Sequence, residues 1–277
     1  MTSRIVALQL AVAALLLLPV PALGLPTFVP LEPFHLAPVA PESGILFEVR
    51  PTFFELAGDT NFGLGWLVEG RLAFLDRQMH AVLGLPFAMG FVDERAPGGD
   101  DAPIAFGDAE VGGGYGDALG GGGGRWGAGM RVALPTAGDS FPPFIAGIWS
   151  RPYDYQRHAI DVTTARAFAD VGLDDGKFVL QLELGADFLI PDDTDNELAA
   201  RFGFLVGFHL APRTILMFEM TGNDLITDDD ADGQFAIQPG IRFPASVLDM
   251  AVYLSVPVDN PLSGEAFAIG VQGVWNP

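Results

Sequence analysis

The chain has no cysteine. This excludes a disulfide scaffold, a cysteine-ligated zinc ribbon, a cysteine nucleophile and the lipid-acceptor cysteine of a lipoprotein. Basic residues are scarce: 14 Lys and Arg stand against 35 Asp and Glu in 277 residues, a net charge of −21. No nucleic acid partner is expected on that balance, because phosphate binding needs clustered cations. The four histidines, His35, His80, His158 and His209, lie far apart with no metal-ligand spacing. Long apolar runs are missing beyond the first twenty residues, since Gly, Pro or a charge interrupts each one. Any later membrane contact must therefore be made by strands rather than helices.

What is present points the same way. A mean hydropathy of +0.33 is high for so acidic a chain, so much apolar surface has to be covered by something. Residues 1–24 carry Arg4 as the single charge, an apolar run from Ile5 to Leu18 broken by Gln9, then Pro19, Pro21 and Ala22-Leu23-Gly24. This is the layout of a secretory signal peptide cut near Gly24. Residues 25–43 hold Pro26, Pro30, Pro33, Pro38 and Pro41 and read as an extended N-terminal segment leading into a domain over 44–277.

From Gly44 onward the pattern has period two. Phe178, Leu180, Leu182, Leu184, Ala186 and Phe188 share one face, while Gln181, Glu183, Gly185 and Asp187 share the other. Residues 64–75, 125–134 and 234–243 repeat the pattern, each with one apolar face and one polar or small face. Some twelve such segments follow, near 44–56, 64–75, 79–91, 104–116, 125–134, 157–169, 177–189, 198–210, 213–222, 234–243, 247–257 and 265–275. Short connections at 76–78, 211–212 and 244–246 alternate with longer ones at 92–103, 135–156, 191–197 and 223–233. Trp66, Phe91, Trp126, Phe168, Phe188, Phe243 and Trp275 lie at or near segment ends, as in aromatic girdles. The expectation is an all-β, transmembrane, antiparallel up-and-down β-barrel of about twelve strands in an outer membrane, among lipid and lipopolysaccharide. Alternation alone also suits a secreted soluble β-protein.

Two stretches carry a family resemblance. Phe106-Gly107-Asp108-Ala109-Glu110-Val111-Gly112-Gly113-Gly114-Tyr115 and Gly129-Met130-Arg131-Val132-Ala133-Leu134-Pro135-Thr136-Ala137-Gly138-Asp139 resemble strand motifs of the outer-membrane proteins named after the meta-pathway of phenol degradation. Ala137, between Thr136 and Gly138, departs from the tighter family form. The resemblance implies an outer-membrane transporter or channel, and the expected function is passive passage of small, hydrophobic or aromatic, molecules.

With apolar faces toward lipid, the opposite faces place Glu48, Arg50, Glu69, Arg71, Asp108, Glu110, Arg131, Asp161, Glu183, Asp187, Arg201, His209, Glu219, Arg242 and Asp249 inside. Such an interior is either a lumen closed by its own ion pairs or a narrow polar path past them, and twelve strands do not decide between the two. Asp228-Asp229-Asp230-Ala231-Asp232-Gly233 opens like a calcium loop, with Asp228, Asp230 and Asp232 as ligands, but its twelfth position is Pro239. A true EF-hand is thereby excluded. Weak calcium or magnesium binding is expected there, on a rim shared with Asp192, Asp193, Asp195 and Glu197. The glycine runs at 112–114 and 120–124 lack the Lys and helix of a phosphate loop, and Ser140 and Ser150 sit in a connection without relay partners. No cofactor and no enzymatic activity are expected.

Overall fold

A computed structural model describes residues 33, 35–38, 42–56, 59–91, 104–119, 123–151, 154, 157–192, 194–211, 214–227, 233–243, 247–258 and 266–276. The strands are β1 (Gly44–Leu56), β2 (Asp59–Phe74), β3 (Met79–Phe91), β4 (Ile104–Phe106), β5 (Glu110–Leu119), β6 (Gly124–Ala133), β7 (Val162–Asp174), β8 (Phe178–Pro191), β9 (Glu197–Ala211), β10 (Thr214–Leu225), β11 (Gln234–Phe243), β12 (Leu248–Val258) and β13 (Ala266–Trp275). One helix, α1 (Phe141–Ser150), lies between β6 and β7.

Apart from β4 and β5, strands adjacent in sequence pair antiparallel, and β13 returns to pair with β1 over Ile45 to Phe54. Short β4 and longer β5 both pair with β3, so they are two pieces of one stave interrupted at residues 107–109. The result is a closed barrel of twelve staves with no free edge. A soluble sandwich is thereby overturned, because among the described residues there is no second sheet for an apolar face to pack on.

Burial is inverted relative to a soluble core. Glu48, Glu69, Glu219, Gln238, Arg242 and Gln272 are buried inside, whereas Phe47, Leu83, Phe178, Phe208, Phe218, Val252 and Ile269 stand exposed outside. An outer wall of this kind matches hydrocarbon, and a closed ladder leaves no backbone group of the wall without a partner there.

The strand of 157–169 starts later than its sequence pattern indicates and runs from Val162 to Asp174. Its inward residues are the even ones, among them Thr164, Arg166, Phe168, Asp170 and Asp174, all buried. A one-residue change of parity exchanges the faces of a strand. Phe168 consequently points inward rather than joining a girdle, and the expectation that Asp161 lies inside is corrected: it is exposed, at φ 57°, in the turn before β7. Phe91, Trp126, Phe188, Phe243 and Trp275 are exposed on the wall. Trp66 faces outward midway along β2 rather than near a rim.

Candidate functional site

Three pieces of chain converge inside the barrel. The first is the connection after β6, which leaves the wall and turns inward. Asp108, wholly buried, fixes that turn: its Oδ1 accepts hydrogen bonds from the amides of Thr136 and Ala137, each at 2.8 Å. Thr136 Oγ1 in turn accepts from the Ala109 amide at 2.8 Å and donates to the Gly107 carbonyl at 3.2 Å. Asp108 thus clasps the base of the inward connection rather than lining an open path.

Beyond the clasp, α1 lies against β1, β2, β3 and β13 near the end that carries the long connections. Its seat is made by absent side chains. A Cβ at Gly63 would come within 2.8 Å of Ala146 Cβ and one at Gly65 within 2.6 Å of Ser150 Oγ, while one at Gly90 would overlap the Pro142 carbonyl. Trp149 stacks on Phe54 of β1, ring centroids 5.3 Å apart, and packs with Ala266 and Ile145. The helix starts with prolines in its first turn, where the missing N–H groups cost nothing. Sequence reasoning treats 135–156 as an irregular connection, yet Ser140 followed by Pro142 and Pro143 is a helix-start signal.

The second piece is the chain that follows α1 into the middle of the barrel. Asp154 is the hub: it meets Arg166 at 2.8 Å, Arg151 and Arg201 at 3.0 Å and Arg157 at 3.5 Å. From the hub the ion pairs run round the wall. Arg157 reaches Glu110 at 2.6 Å, Arg131 joins Glu110 at 3.6 Å and Glu69 at 2.8 Å, and Arg71 closes on Glu69 at 2.6 Å. On the other side Arg166 and Arg201 share Asp187 at 2.8 and 3.2 Å. Arg151 and Arg50 both pair with Glu48, which also accepts from the Tyr253 hydroxyl. Seven arginines and five carboxylates are linked, so this ring carries +2 within a chain of net charge −21. Every cation in it is Arg, whose planar fork can satisfy two carboxylates at once. Burial acting alone would raise the Asp154 carboxyl, but Arg166, Arg157, Arg201 and Arg151 hold it well below the usual range. His158, packed against Gly147, is pushed down to about 3 by burial and by Arg157 and Arg151.

The third piece lies toward the end of the barrel where β1 begins and β13 finishes. Residues 33 and 35–38 lie inside the barrel, not merely ahead of it. The amides of His35 and Leu36 donate to Glu219 Oε1 at 2.8 and 3.1 Å, and the Ala37 amide donates to Glu183 Oε2 at 2.7 Å. Gln181 Nε2 donates to the Ala37 carbonyl at 2.6 Å. The Leu36 side chain fills an apolar cup of Val179, Leu205, Ile215, Met217, Ala251 and Tyr253. The edge of the His35 ring meets Tyr253 with centroids 5.1 Å apart. Between this segment and the arginines lies a cavity of about 30 Å³, touched by Leu36, Ala37, Arg166, Arg201 and Phe168, with room for one or two waters.

Of the residues read from sequence as interior, Glu48, Arg50, Glu69, Arg71, Glu110, Arg131, Asp187 and Arg201 belong to the ring. Glu183 and Glu219 hold the N-terminal segment. Arg242 is buried with Asp249 at 2.9 Å and Gln272 at 3.1 Å, and His209 sits 3.4 Å from Asp174. Arg151, Asp154, Arg157 and Arg166 escape sequence reasoning: three lie on the inward connection, and the fourth on the strand with the shifted parity. Asp228, Asp230 and Asp232 lie outside the described residues. Among the described residues no three His, Asp or Glu side chains come together as a metal site.

No family model and no curated protein matches the chain. Solved structures do. The COG4313 outer membrane channel from Pseudomonas putida F1 superposes with a TM-score of 0.57 at 10% identity, covering 88% of this chain and 99% of that one. The NanC porin superposes with a TM-score of 0.54 at 10% identity, covering 83% and 99%. The fold is that of outer-membrane barrels.

Proposed function

We propose that this protein is an outer-membrane channel for the passive passage of small molecules, closed in the state described here. The observation that carries the reading is the pairing of an apolar outer wall with an interior ring of arginines and carboxylates. Burying so many charges costs more than an apolar filling of the same volume would, so a barrel needing only stability has no use for the ring. A polar path past fixed charges does. The path is blocked twice, by α1 with its connection and by the N-terminal segment.

The signal-like N-terminus supports delivery to the outer membrane, and the likeness to a channel and a porin fits that location. The two motif stretches support kinship with the phenol meta-pathway family, because they lie side by side as β5 and β6 and meet through Asp108 and Thr136. Small apolar or aromatic molecules are the solutes that kinship suggests.

A second reading, a permanently closed structural barrel, is favoured by the density of the plugging contacts. Reconstitution separates the two. Purified protein that migrates faster unheated than boiled, and that gives discrete conductance steps in planar bilayers, supports the channel. A heat-modifiable barrel that never conducts supports the structural reading.

A further inference from the structure

Arg157 is left short of acceptors. Its Nη2 pairs with Glu110 at 2.6 Å and its Nε stands 3.5 Å from Asp154. The residue is 4% exposed, yet neither Nε nor Nη1 makes a hydrogen bond among the described residues. Buried donors of this kind are costly, because they have given up water and gained no partner in exchange.

The same residue lines the cavity of about 30 Å³, together with Arg71, Arg131, Arg151, Arg166 and Arg201. The carboxylates on the cavity wall are Glu69 and Glu183, and both are engaged. Glu69 takes Arg71 at 2.6 Å and Arg131 at 2.8 Å, and Glu183 takes the Ala37 amide at 2.7 Å. Six cations against two carboxylates leave these side chains with an excess of +4 around a space for one or two waters. Fixed positive charge in a confined site of low dielectric attracts an anion and repels a metal ion. The volume admits an ion of chloride size and not sulfate or phosphate.

We propose that this cavity is a binding site for one small monovalent anion of halide size, with Arg157 Nη1 as a donor to it. The site stands on the cavity and on Arg157, whatever the barrel conducts.

Two experiments on the full chain test it, with bromide as the probe. Crystals soaked in sodium bromide should show an anomalous peak in the cavity, within hydrogen-bond reach of Arg157. Peaks confined to the outer surface mean an adventitious ion only and overturn the proposal. In detergent solution, bromide replaces sulfate at constant ionic strength while the unfolding equilibrium is followed. A general salt effect lowers stability along this series, since sulfate is the more strongly excluded anion. A filled site raises it, and bromide at ten times its dissociation constant should favour the folded barrel about elevenfold. Arg157→Lys keeps the charge but offers a single nitrogen, so bromide should bind it about tenfold more weakly. Absence of a saturating rise in the parent protein overturns the proposal, whether or not the variant folds. Bromide bound in a barrel that never conducts keeps the site and refutes the channel; a conducting barrel that binds no bromide does the reverse.

Discussion

If the N-terminal segment is a gate, its weakest commitment is a single side chain. Leu36 is 5% exposed, and full burial of a leucine contributes about 2 kcal/mol. The amide bonds to Glu219 and Glu183 come from the backbone, so truncating the side chain leaves them available. Leu36→Ala should therefore lower the seated-to-withdrawn ratio about thirtyfold while leaving strand pairing untouched. Single-channel recording in planar bilayers reads this directly, as longer open dwells and shorter closed ones at unchanged unit conductance. The gel shift between unheated and boiled protein should stay that of the parent, because no wall residue has changed. Gly203→Ala approaches the same contact from the barrel, and combining it with Leu36→Ala should give less than the sum of the two effects, since each acts on one shared contact. Dwell times of Leu36→Ala equal to those of the parent would refute the argument that this segment controls the path.

The second obstruction yields its own tests. Gly63→Val pushes a branched side chain into Ala146 and should unseat α1, raising protease cleavage between residues 134 and 161 without loss of the folded gel form. Asp154→Asn removes the hub charge from four arginines; reversal potentials in a salt gradient should move toward anions, and the gel-shift midpoint should fall, because unpairing buried charges costs about 3–5 kcal/mol. Acidification has a definite sign. His158 titrates at about 3 in the fold against an ordinary 6.5, so the unfolded chain binds its proton first. Its contribution to stability is fully present above pH 6.5 and drains away as pH falls toward 3. The gel-shift midpoint should drop between pH 7 and pH 4, and His158→Asn should drop less. Asp154, held well below the ordinary carboxylate range, keeps its charge in the fold across that window, and its own contribution starts to be lost only near pH 4, where the unfolded carboxyl begins to bind a proton.

The walls of the barrel were legible because lipid on one side and charge on the other write the strongest possible alternation. In β8 every second residue from Phe178 to Phe188 is apolar, and each faces out. In β7 half of the outward residues are alanine and Phe168 faces in, so the contrast that fixes parity is weak and the faces are exchanged. Arg166 escapes the reading for that reason, and Asp161 falls in the turn before the strand. The ring could be read in part, as charges on inward faces. Its hub could not, because Asp154 lies on a connection whose path is set by Asp108 clasping residues nearly thirty positions away, and no local pattern records a connection that turns inward. The N-terminal segment was hidden similarly: prolines announce an extended chain, but not that two glutamates across the barrel will take its amides.

The two obstructions differ in how they are held, and that difference gives the path a direction. The helix is keyed into backbone, with Gly63, Gly65 and Gly90 removing the side chains that would lie under it, and its trailing chain is bound to the wall through four arginine contacts at Asp154. Moving it means breaking buried ion pairs together, at several kcal/mol for each charge left unpaired. The N-terminal segment is held by Leu36, by the His35 ring edge on Tyr253 and by backbone hydrogen bonds to Glu219, Glu183 and Gln181 that water can replace once the cup is exposed, and withdrawal returns the conformational freedom of its backbone, about 1–2 kcal/mol per residue. Opening should therefore begin at the end where β1 begins and β13 finishes, with the helix and ring left standing as the fixed filter. A solute would then meet the filter whether or not the segment is in place, so variants of the segment should change how often the path is open, and variants of the ring should change what passes.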